Sequence, residues 1–428
     1  MKPPYCSHAR VLVALSVLLL ARSLQAADWY KFGNVTFPER RTITVANATD
    51  APVNGMPVRV ELEKLKVAED ARGTAVVVDP EAKPAREGEM GGALVPHQVV
   101  KNVLTFSATL KPTKTKTFYL YTTAQEISGV SFKPQTSADI RPNHAYRSFE
   151  NNKMGFRVEV GEGANTTGMA IDLFGKTKAG QQMGAILASR IYKSDYHEMQ
   201  DWGIDILKIG SSPGLGGVYV IDGEQMGRNN FATTSFEVVE GEKGPILTRV
   251  RVHGPVEVNG KKFEVVRTMT LTADDRGIDD VVEMQGEAKA LEGIKLGLGV
   301  RNLPKESWNE DPKMGFAFVD GDGNQKGTEH LGMGVAFKPE QYVRTDEIKT
   351  VATATSPSVV DPVNGGHIVV LTPTAKEGKL TSRHHLGAYW NGDGEIAKKE
   401  DFQAALVNWA KLLVREPKVE VGQPEHAK

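Results

Sequence analysis

Two neighbouring segments indicate the fold class: Val103-Leu-Thr-Phe-Ser-Ala-Thr-Leu110 and, after a short turn, Thr115-Lys-Thr-Phe-Tyr-Leu-Tyr-Thr122. In both segments apolar and polar side chains alternate, which is the period of a β-strand whose successive side chains point to opposite faces of a sheet. The same alternation occurs earlier, at Arg41–Ala46 and Pro57–Leu62. Strands at this spacing predict a small β-sandwich over residues 28–137.

The pattern of short strands continues beyond a linker that carries Pro134 and Pro142. Because strand periodicity dominates, we do not expect parallel βαβ units, and residues 138–428 are predicted to form a large antiparallel double sheet. One helix is predicted between Asp401 and Arg415, where apolar residues recur at helical spacing. The candidate strands of this part are Gly155–Val160, Phe236–Val239, Ile246–His253, Phe263–Thr272, Asp279–Met284, Ile294–Val300, Gly315–Phe318 and His367–Leu371.

The composition of the 428 residues is that of a globular protein, with 40% apolar and 25% charged residues. The 43 glycines and 22 prolines, with only 7% aromatic residues, favour strands and turns over long helices. The formal net charge is −1. Since no excess of basic residues is present to neutralise phosphates, the composition argues against nucleic acid as a partner.

Residues 1–26 are predicted to be a secretory signal peptide that is cleaved after Ala26. Lys2 and Arg10 precede the short apolar run Val11–Ala21, and small residues follow it. A membrane anchor is the weaker alternative, because a spanning helix needs about 20 apolar residues. We therefore expect a periplasmic or secreted bacterial protein with no membrane span after cleavage.

Cleavage at this position would also remove Cys6, which is the only cysteine of the chain. The mature protein would then have no disulfide, no thiolate nucleophile and no cysteine-ligated metal. It would lose three basic residues and no acidic one, so the formal net charge would change from −1 to −4.

The densest cluster of chemically active residue types is Asp195-Tyr-His-Glu-Met-Gln-Asp-Trp-Gly-Ile-Asp205. The segment has neither helical nor strand period, which is typical of a connection over a β scaffold, where binding sites are commonly built. Its His, Tyr and carboxylate groups can move protons or bind hydroxyls, and its Trp can stack on a sugar. The alternative is a loop packed by its aromatic rings with solvated charges. The residues concerned are Tyr196, His197, Asp201, Trp202 and Asp205.

A second cluster lies in Thr381-Ser-Arg-His-His-Leu-Gly-Ala-Tyr-Trp-Asn391. On a strand, His385, Gly387 and Tyr389 would share one face, and His384, Leu386, Ala388 and Trp390 the other. One histidine is therefore predicted to line a cavity and the other to pack. Because the two rings point in opposite directions, they cannot ligate one ion together, and no metal site is predicted.

Two arginines could act on an acidic substrate. Arg147 and Arg301 could each clamp a carboxylate bidentately or form a structural ion pair.

No cofactor is predicted. Two Asp-Gly segments, Asp320–Asn324 and Asn391–Glu395, resemble calcium loops but lack the full set of ligands, so hairpins are the preferred interpretation. The motifs of serine hydrolases, zinc proteases and dinucleotide-binding enzymes are absent from the sequence, and the Gly-rich Lys208–Gly217 lacks P-loop spacing.

The run from Tyr196 to Gly210, with Gly214–Gly217 after it, resembles the DUF4861 family of exported bacterial proteins. Glu150–Arg157 looks like the opening strand of that family, and Gly387–Asn391 with the closing helix looks like its end, so the resemblance spans about residues 28–415. It implies a galactose-mutarotase-like supersandwich and an association with enzymes that degrade acidic plant or algal polysaccharides, notably pectin-type uronans. Fold analogy does not fix the reaction.

The leading hypothesis is a polysaccharide lyase-type enzyme that cleaves uronate-containing oligosaccharides by β-elimination. A base removes the proton at C5, a cation neutralises the carboxylate, and an acid protonates the leaving oxygen. The assigned residues are His197 as base, Tyr196 or Tyr389 as acid, and Arg147 or Arg301 with His385 as carboxylate clamp.

Two other functions stay open. In a glycoside hydrolase, Asp201 and Asp205 would form the carboxylate pair. In a non-catalytic sugar-binding protein, Trp202 and Trp390 would stack on the ligand. If both clusters line one cavity, His197 and His385 should lie on the same concave face within about 10 Å, so that one sugar ring could touch both.

Overall fold

The computed structural model describes residues 29–127, 131–140, 145–161, 169–186, 195–210, 212–229, 233–323, 328, 330–348, 365–396 and 398–427. The predicted signal peptide and Cys6 lie outside these residues. Within them the chain is mainly β, with an N-terminal sandwich, a large antiparallel supersandwich and one C-terminal helix, as predicted. Among the described residues no helix has both the length and the apolar character that a membrane crossing requires.

The strands and helices have the following bounds. The first sixteen strands are β1 (Lys31–Phe32), β2 (Glu39–Ala46), β3 (Val53–Glu61), β4 (Val76–Asp79), β5 (Glu89–Met90), β6 (Ala93–Val95), β7 (His97–Val100), β8 (Val103–Leu110), β9 (Thr115–Thr122), β10 (Thr136–Ile140), β11 (Tyr146–Asn151), β12 (Met154–Glu159), β13 (Asp172–Lys176), β14 (Gly203–Asp205), β15 (Leu215–Asp222) and β16 (Gln225–Gly227). The remaining strands are β17 (Ser235–Lys243), β18 (Leu247–Val258), β19 (Lys261–Thr272), β20 (Gly277–Gln285), β21 (Lys295–Arg301), β22 (Ser307–Asp311), β23 (Phe316–Gly321), β24 (Leu331–Ala336), β25 (Tyr342–Ile348), β26 (Gly366–Leu371), β27 (Thr374–Lys376), β28 (Lys379–Trp390), β29 (Lys418–Val421) and β30 (Glu425–His426). The helices are α1 (Glu69–Arg72), α2 (Lys178–Met183) and α3 (Lys399–Val414), and a 3-10 turn spans Pro339–Gln341.

The N-terminal sandwich packs two antiparallel sheets on each other. One has the order β29-β2-β9-β4-β6, with β30 also beside β2, and the other has the order β3-β8-β7. The alternating segments of the sequence coincide with β8 and β9, and their inward side chains, such as Phe106 and Phe118, meet in the core between the sheets.

The chain crosses between the sandwich and the supersandwich at both ends. β10 starts at Thr136 and already pairs with β11 of the supersandwich. After α3 the chain returns, and Lys418–Val421 pairs with β2 of the sandwich. The predicted boundary between residues 137 and 138 assigns everything after it to the second domain, whereas Lys418–Val421 belongs to a sheet of the sandwich. Local periodicity does not show which strands pair.

The supersandwich is built on a nine-stranded sheet of order β17-β18-β19-β20-β28-β24-β23-β22, with β27 paired to β28. Its inner face packs against two five-stranded sheets, β10-β11-β12-β13-β14 and β16-β15-β21-β26-β25, across the largest core of the protein. α3 lies on its outer face, where Phe402, Leu406 and Ala410 pack on Phe316, Phe318 and Tyr389. The predicted C-terminal helix is therefore confirmed.

The strand β28 has the two faces that its sequence predicts. Leu386, Ala388 and Trp390 point into the inner core, whereas Tyr389 packs under α3. Gly387 also lies on the α3 side, because a Cβ there would come within 2.5 Å of the Trp409 ring. Each side of β28 is thus covered by a different layer.

Candidate functional site

The segment from Asp195 to Asp205 covers the outer face of the sheet β10–β14. In β13, Leu173 points into the inner core, and its neighbour Phe174 points to the opposite face. Tyr196 packs edge to face on Phe174 with ring centroids 5.9 Å apart. The backbone N–H of Asp205 donates to the carbonyl of Tyr196 at 2.9 Å, so the segment closes on itself over this face.

Arg157 lies at the centre of the covered face. It stands directly opposite Asp172 in the register of β12 and β13, and its guanidinium donates to that carboxylate. Its Nη2 is 3.9 Å from Oδ2 of Asp205, and its Nη1 donates to the hydroxyl of Tyr196 at 3.3 Å. One cation therefore joins two carboxylates and a phenol. We call Arg157, Asp172, Asp205, Tyr196 and His197 the open cluster.

Three aromatic rings surround the guanidinium. The ring centroids of Tyr146, Phe174 and Tyr196 lie 4.7, 5.2 and 5.5 Å from its central carbon. Cation–π attraction and the planar shape of the guanidinium both suit such a box. The rings fix the position of Arg157 and hence of the Tyr196 hydroxyl.

Burial acts in opposite directions on the pKa values of Asp172 and Arg157, and neighbouring charges modify both. Burial raises the pKa of Asp172 to about 6, helped by the negative charge of Glu159 and opposed by the positive charge of Arg157. Burial alone would lower the pKa of Arg157, but Asp172 and Asp205 outweigh it and raise that pKa. Arg157 therefore stays cationic at any working pH.

His197 is the exposed member of the open cluster. Its side chain is 51% exposed, its Nδ1 is 3.0 Å from Asp195, and its Nε2 is 3.9 Å from Asp205. Its ring centroid is 4.3 Å from that of Tyr196, which is half-buried. Asp172 and Asp205 are each only 1% exposed. A ligand at this surface would meet the imidazole and the phenol before either carboxylate.

The other two predicted residues of this segment have different roles. Trp202 is 1% exposed and packs with Phe174, so its ring stabilises the segment and is not available to stack on a sugar. This corrects the predicted role, and the reason is that a large apolar ring in a short segment gains most by burial against the sheet. The side chain of Asp201 is exposed, while its carbonyl accepts from the Thr177 hydroxyl at 2.9 Å.

The predicted arginine clamps do not join the open cluster. Arg301 is buried, and its Nη1 donates to the Ile209 carbonyl and, at 3.2 Å, to the Ser212 hydroxyl. It holds the Gly-rich turn, which is the structural alternative. Arg147 follows Tyr146 on β11 and so projects from the face opposite to the one that carries Arg157, and its Nη1 donates to the Tyr146 carbonyl at 3.0 Å.

Tyr389 and Trp390 are both buried. The Tyr389 hydroxyl donates to Asp320, and its ring lies 5.1 Å from Phe402 under α3. Trp390 packs in the inner core so closely that a Cβ on Gly175 would come within 2.5 Å of its indole. Neither the predicted acid role of Tyr389 nor the predicted stacking role of Trp390 fits these positions.

The two adjacent histidines of β28 lie on opposite faces, as predicted. His384 points inward, and its Nε2 is 2.6 Å from Oδ2 of Asp280. His385 points outward, and its ring centroid lies 4.2 Å from that of Trp409 on α3. The nine-stranded sheet, the inner core and the sheet β10–β14 therefore separate His385 from His197, and the prediction of a shared site is wrong. Alternation along one strand gives the face of a residue but not which layer covers that face.

Sequence reasoning missed Arg157 and Asp172, although a signal was present. Arg157 is a charged residue inside the strand Met-Gly-Phe-Arg-Val-Glu, where every residue except the last is buried. A charge in a buried strand needs a partner of opposite sign. The partner, Asp172, could not be identified without the strand register.

Within the described ranges, no group of three or more His, Cys, Asp or Glu residues is arranged to hold a metal ion. The carboxylates of the two Asp-Gly segments have other partners, since Asp320 accepts from Tyr389 and Asp393 pairs with Arg276 at 2.7 Å. The first segment ends β23 of the β23–β24 hairpin, as predicted, whereas the second leads from β28 toward α3.

Comparison with curated proteins finds no match. Among solved structures, the chain is similar to an α-mannosidase from Enterococcus faecalis V583, with a TM-score of 0.50 and 9% identity over 91% of this chain and 46% of that one. It is also similar to a protein of glycosyl hydrolase family 38 from Enterococcus faecalis, with a TM-score of 0.50 and 10% identity over 91% of this chain and 48% of that one. The chain thus spans about half the length of these proteins, and identities this low establish a shared fold only. The family model DUF4861, a domain of unknown function, matches residues 45–419, and the chain belongs to this family.

Proposed function

We propose that this chain is an exported carbohydrate-active enzyme that cleaves uronate-containing oligosaccharides by β-elimination at Tyr196 and His197. The observation that carries the proposal is the 3.3 Å hydrogen bond from Arg157 to the Tyr196 hydroxyl, beside the half-exposed imidazole of His197. An accessible base, an accessible acid and a cation in contact with one of them are the groups that this reaction needs. The mannosidase of similar fold supports a sugar substrate, and the signal-like residues 1–26 support export.

In the proposed step, His197 takes the proton from C5 of the uronate. The electron pair left on C5 forms the C4–C5 double bond, and the bond from C4 to the glycosidic oxygen breaks. The leaving oxygen takes the proton of the Tyr196 hydroxyl. The phenolate that remains lies against the Arg157 guanidinium, whose charge stabilises it. Exchange with solvent then returns both residues to their starting protonation states.

This assignment differs from the predicted one in the roles of Arg147, Arg301 and Tyr389. The positive charge comes from Arg157 and acts on the acid, whereas Arg147 or Arg301 was expected to clamp the substrate carboxylate. Tyr196 takes the acid role for which Tyr389 was the alternative. Arg157 is 8% exposed, so its charge acts on the site through the Tyr196 hydroxyl that it holds.

Hydrolysis of a glycosidic bond is the second candidate, and one observation favours it. Asp172 and Asp205 both lie near Nη2 of Arg157, one by a hydrogen bond and the other at 3.9 Å, so their nearest oxygens are at most about 7 Å apart. Catalytic carboxylates of glycosidases have comparable separations. The pKa of Asp172, raised to about 6 by burial, would suit a general acid. The low exposure of both carboxylates places this reaction second.

The reaction class can be tested with the mature protein and a panel of polysaccharides. Polygalacturonate, alginate and a glucuronan would serve as uronate substrates, with mannan as the neutral comparison. We expect new ultraviolet absorbance from unsaturated products with at least one uronate. Reducing ends without that absorbance would replace elimination by hydrolysis, and retention of a polymer on the protein without either product would show a binding protein.

A conservative variant tests the acid role. Tyr196→Phe removes the hydroxyl and keeps the ring that packs on Phe174, so we expect turnover to fall by roughly 10²–10⁴-fold with little change in stability. His253→Ala is the matched control, because His253 is also a partly exposed histidine beside a carboxylate, 3.2 Å from Glu264. Unchanged turnover in Tyr196→Phe would remove this residue from the mechanism.

A further inference from the structure

A cleft lies where the sandwich, the outer face of the nine-stranded sheet and α3 meet. Its volume is about 160 Å³. Since one water needs roughly 10–15 Å³ of such space, the cleft has room for roughly 11–16 waters, which is enough for one sugar ring. Its lining includes Asn54, Asp275, Arg383, His385, Trp409 and Glu416. A smaller cavity adjoins it and shares Asn54, Asp275 and Trp409 with it, so space flanks the indole on more than one side.

Trp409 is a fixed, half-buried aromatic surface in this cleft. Its ring lies 4.2 Å from the His385 ring at an interplanar angle of 35°. Below it is Gly387, where a Cβ would come within 2.5 Å of the indole, so any larger residue at position 387 would displace the ring. An immobile aromatic ring in a pocket with a few polar groups is the usual composition of a small-molecule site.

His385 and Asp275 form the polar floor of the cleft. His385 is 6% exposed, and its Nε2 is buried with the Asp275 carboxylate 3.5 Å away. The Asp275 side chain is 15% exposed, so its carboxylate is the group that a ligand hydroxyl would meet beside the His385 ring.

The remaining polar groups offer both donors and acceptors. Arg383 donates to Asp279 through Nε at 2.7 Å and through Nη2 at 3.0 Å, and it also pairs with Glu416. The amide of Asn54 stands at the exposed edge of β3. Planar groups of this kind can bind neighbouring hydroxyls of a sugar bidentately.

The charge of the cleft selects the class of sugar. Three carboxylates, from Asp275, Asp279 and Glu416, face one arginine, Arg383. An anionic uronate would be repelled by this excess of negative charge. A neutral sugar ring is not repelled by these carboxylates.

We infer that this cleft binds a single neutral sugar ring, stacked on Trp409 and hydrogen-bonded near His385 and Asp275. That the ligand is a sugar rests on the proposed function, whereas the position of the site rests on the geometry alone. The cleft lies on the outer side of the nine-stranded sheet and the open cluster lies beyond the inner core, so the two are separate sites. The cleft would hold the neutral part of a mixed polysaccharide while the open cluster acts on the acidic part.

The test is calorimetric titration of the mature protein with methyl α-mannoside, methyl β-galactoside and methyl α-rhamnoside, with sodium galacturonate as the anionic comparison. We expect saturable binding of at least one neutral glycoside and weaker binding of galacturonate. Trp409→Ala should reduce the affinity about tenfold or more, since stacking and apolar burial are lost together. Absence of saturable binding by every neutral glycoside would overturn the inference.

Trp308→Ala is the matched control, because Trp308 is also half-buried and stacks on a histidine, with its ring 4.0 Å from that of His367, but does not line the cleft. Equal loss of affinity in both tryptophan variants would overturn the inference. If Trp409→Ala fails to fold, Asn54→Ala at its exposed position serves instead, with an expected loss of affinity of a fewfold, and unchanged affinity there would contradict the site.

Binding in the His197→Ala background separates this inference from the proposed function. Retained binding there, in a protein that turns over no uronate, would leave the cleft site intact whatever the open cluster does. Turnover by the wild type without binding of any neutral glycoside would refute the cleft site and leave the proposed function standing.

Discussion

Two clusters in this protein each combine arginine, aspartate and histidine, and they differ in their access to solvent. The sealed cluster consists of Arg267, Asp280 and His384 in the inner core, all 0% exposed. Arg267 donates to Asp280 at 2.8–3.1 Å and His384 Nε2 is 2.6 Å from the same carboxylate. In the open cluster, Asp205 stands 3.9 Å from both Arg157 and His197, and the imidazole is half exposed.

Access to solvent decides which of the two clusters could meet a ligand. The groups of the sealed cluster have short contacts to one another and no access to solvent, which is what a buried ion pair needs in order to be tolerated. In the open cluster Arg157 and Asp172 are also in close contact, but Asp205 stands 3.9 Å from both Arg157 and His197, and the His197 side chain is 51% exposed. Arginine, aspartate and histidine are therefore sealed from solvent in one place and in contact with it through His197 in the other.

The pKa of Asp172 in the open cluster is raised, whereas the pKa of Asp280 in the sealed cluster is lowered. Burial alone would raise the pKa of Asp280, but Arg267 and His384 outweigh it and lower that pKa to about 2. Burial raises the pKa of Asp172 to about 6 despite Arg157, which also neutralises Asp205. Arg267 and His384 together outweigh burial at Asp280, whereas Arg157 does not outweigh it at Asp172.

The largest expected effect on stability is that of breaking the sealed cluster. Asp280→Asn leaves the Arg267 charge buried without its carboxylate, so we expect a loss of roughly 3–5 kcal/mol in the free energy of unfolding. The matched control is Asp279→Asn on the same strand, because Asp279 pairs with Arg383 at the surface with 28% of its side chain exposed. The control should cost at most about 1 kcal/mol. Urea unfolding of both variants measures the contrast, and equal costs would contradict it.

A second effect concerns Asp172 and its raised pKa. In the folded state this carboxyl binds a proton up to about pH 6, whereas in the unfolded chain it loses the proton near its ordinary value of 3.8. Its contribution to stability is therefore fully present below about pH 4 and is lost as the pH rises through 6, by roughly 2–3 kcal/mol. In Asp172→Asn this part of the pH dependence should vanish. If the free energies of unfolding of the wild type and of Asp172→Asn change in parallel between pH 4 and 7, the raised pKa of Asp172 is refuted.

The smallest effect is the pH dependence of stability that Asp280 causes, and its sign is opposite to that of Asp172. Its lowered pKa gives a contribution that is present above the unfolded value of 3.8 and is lost as the pH falls toward 2. The cost of Asp280→Asn should therefore shrink by about 2 kcal/mol between pH 4 and pH 2. Unfolding curves of wild type and variant across this range measure it, and a constant cost would show that Asp280 does not titrate there.

Much of the fold follows from local pattern. Alternation predicted β8 and β9 to the residue and the two faces of β28, and helical spacing predicted α3. These succeed because a half-buried strand or a surface helix must place its apolar side chains on one side. What covers each face depends on strand order, which no local period contains.

The site was predictable only in part. The segment from Asp195 to Asp205 was singled out correctly as a polar connection over a sheet, and Tyr196 and His197 do lie together at the surface. The pairing of Arg157 with Asp172, and of Asp280 with His384, depends on the cross-strand register. For this reason residue types alone could not tell the open cluster from the sealed one, and Trp202, Trp390 and Arg301 were assigned to ligands although they pack the interior.

We propose the open cluster as the reactive site, and the decisive experiment is the turnover of His197→Ala per folded molecule. The assay is ultraviolet absorbance on the uronate polymer that the wild type cleaves, with the folded fraction measured by circular dichroism and His253→Ala as the control. The account predicts a loss of roughly 10²–10⁴-fold for His197→Ala with wild-type stability, and unchanged turnover for His253→Ala. Wild-type turnover by folded His197→Ala would contradict it.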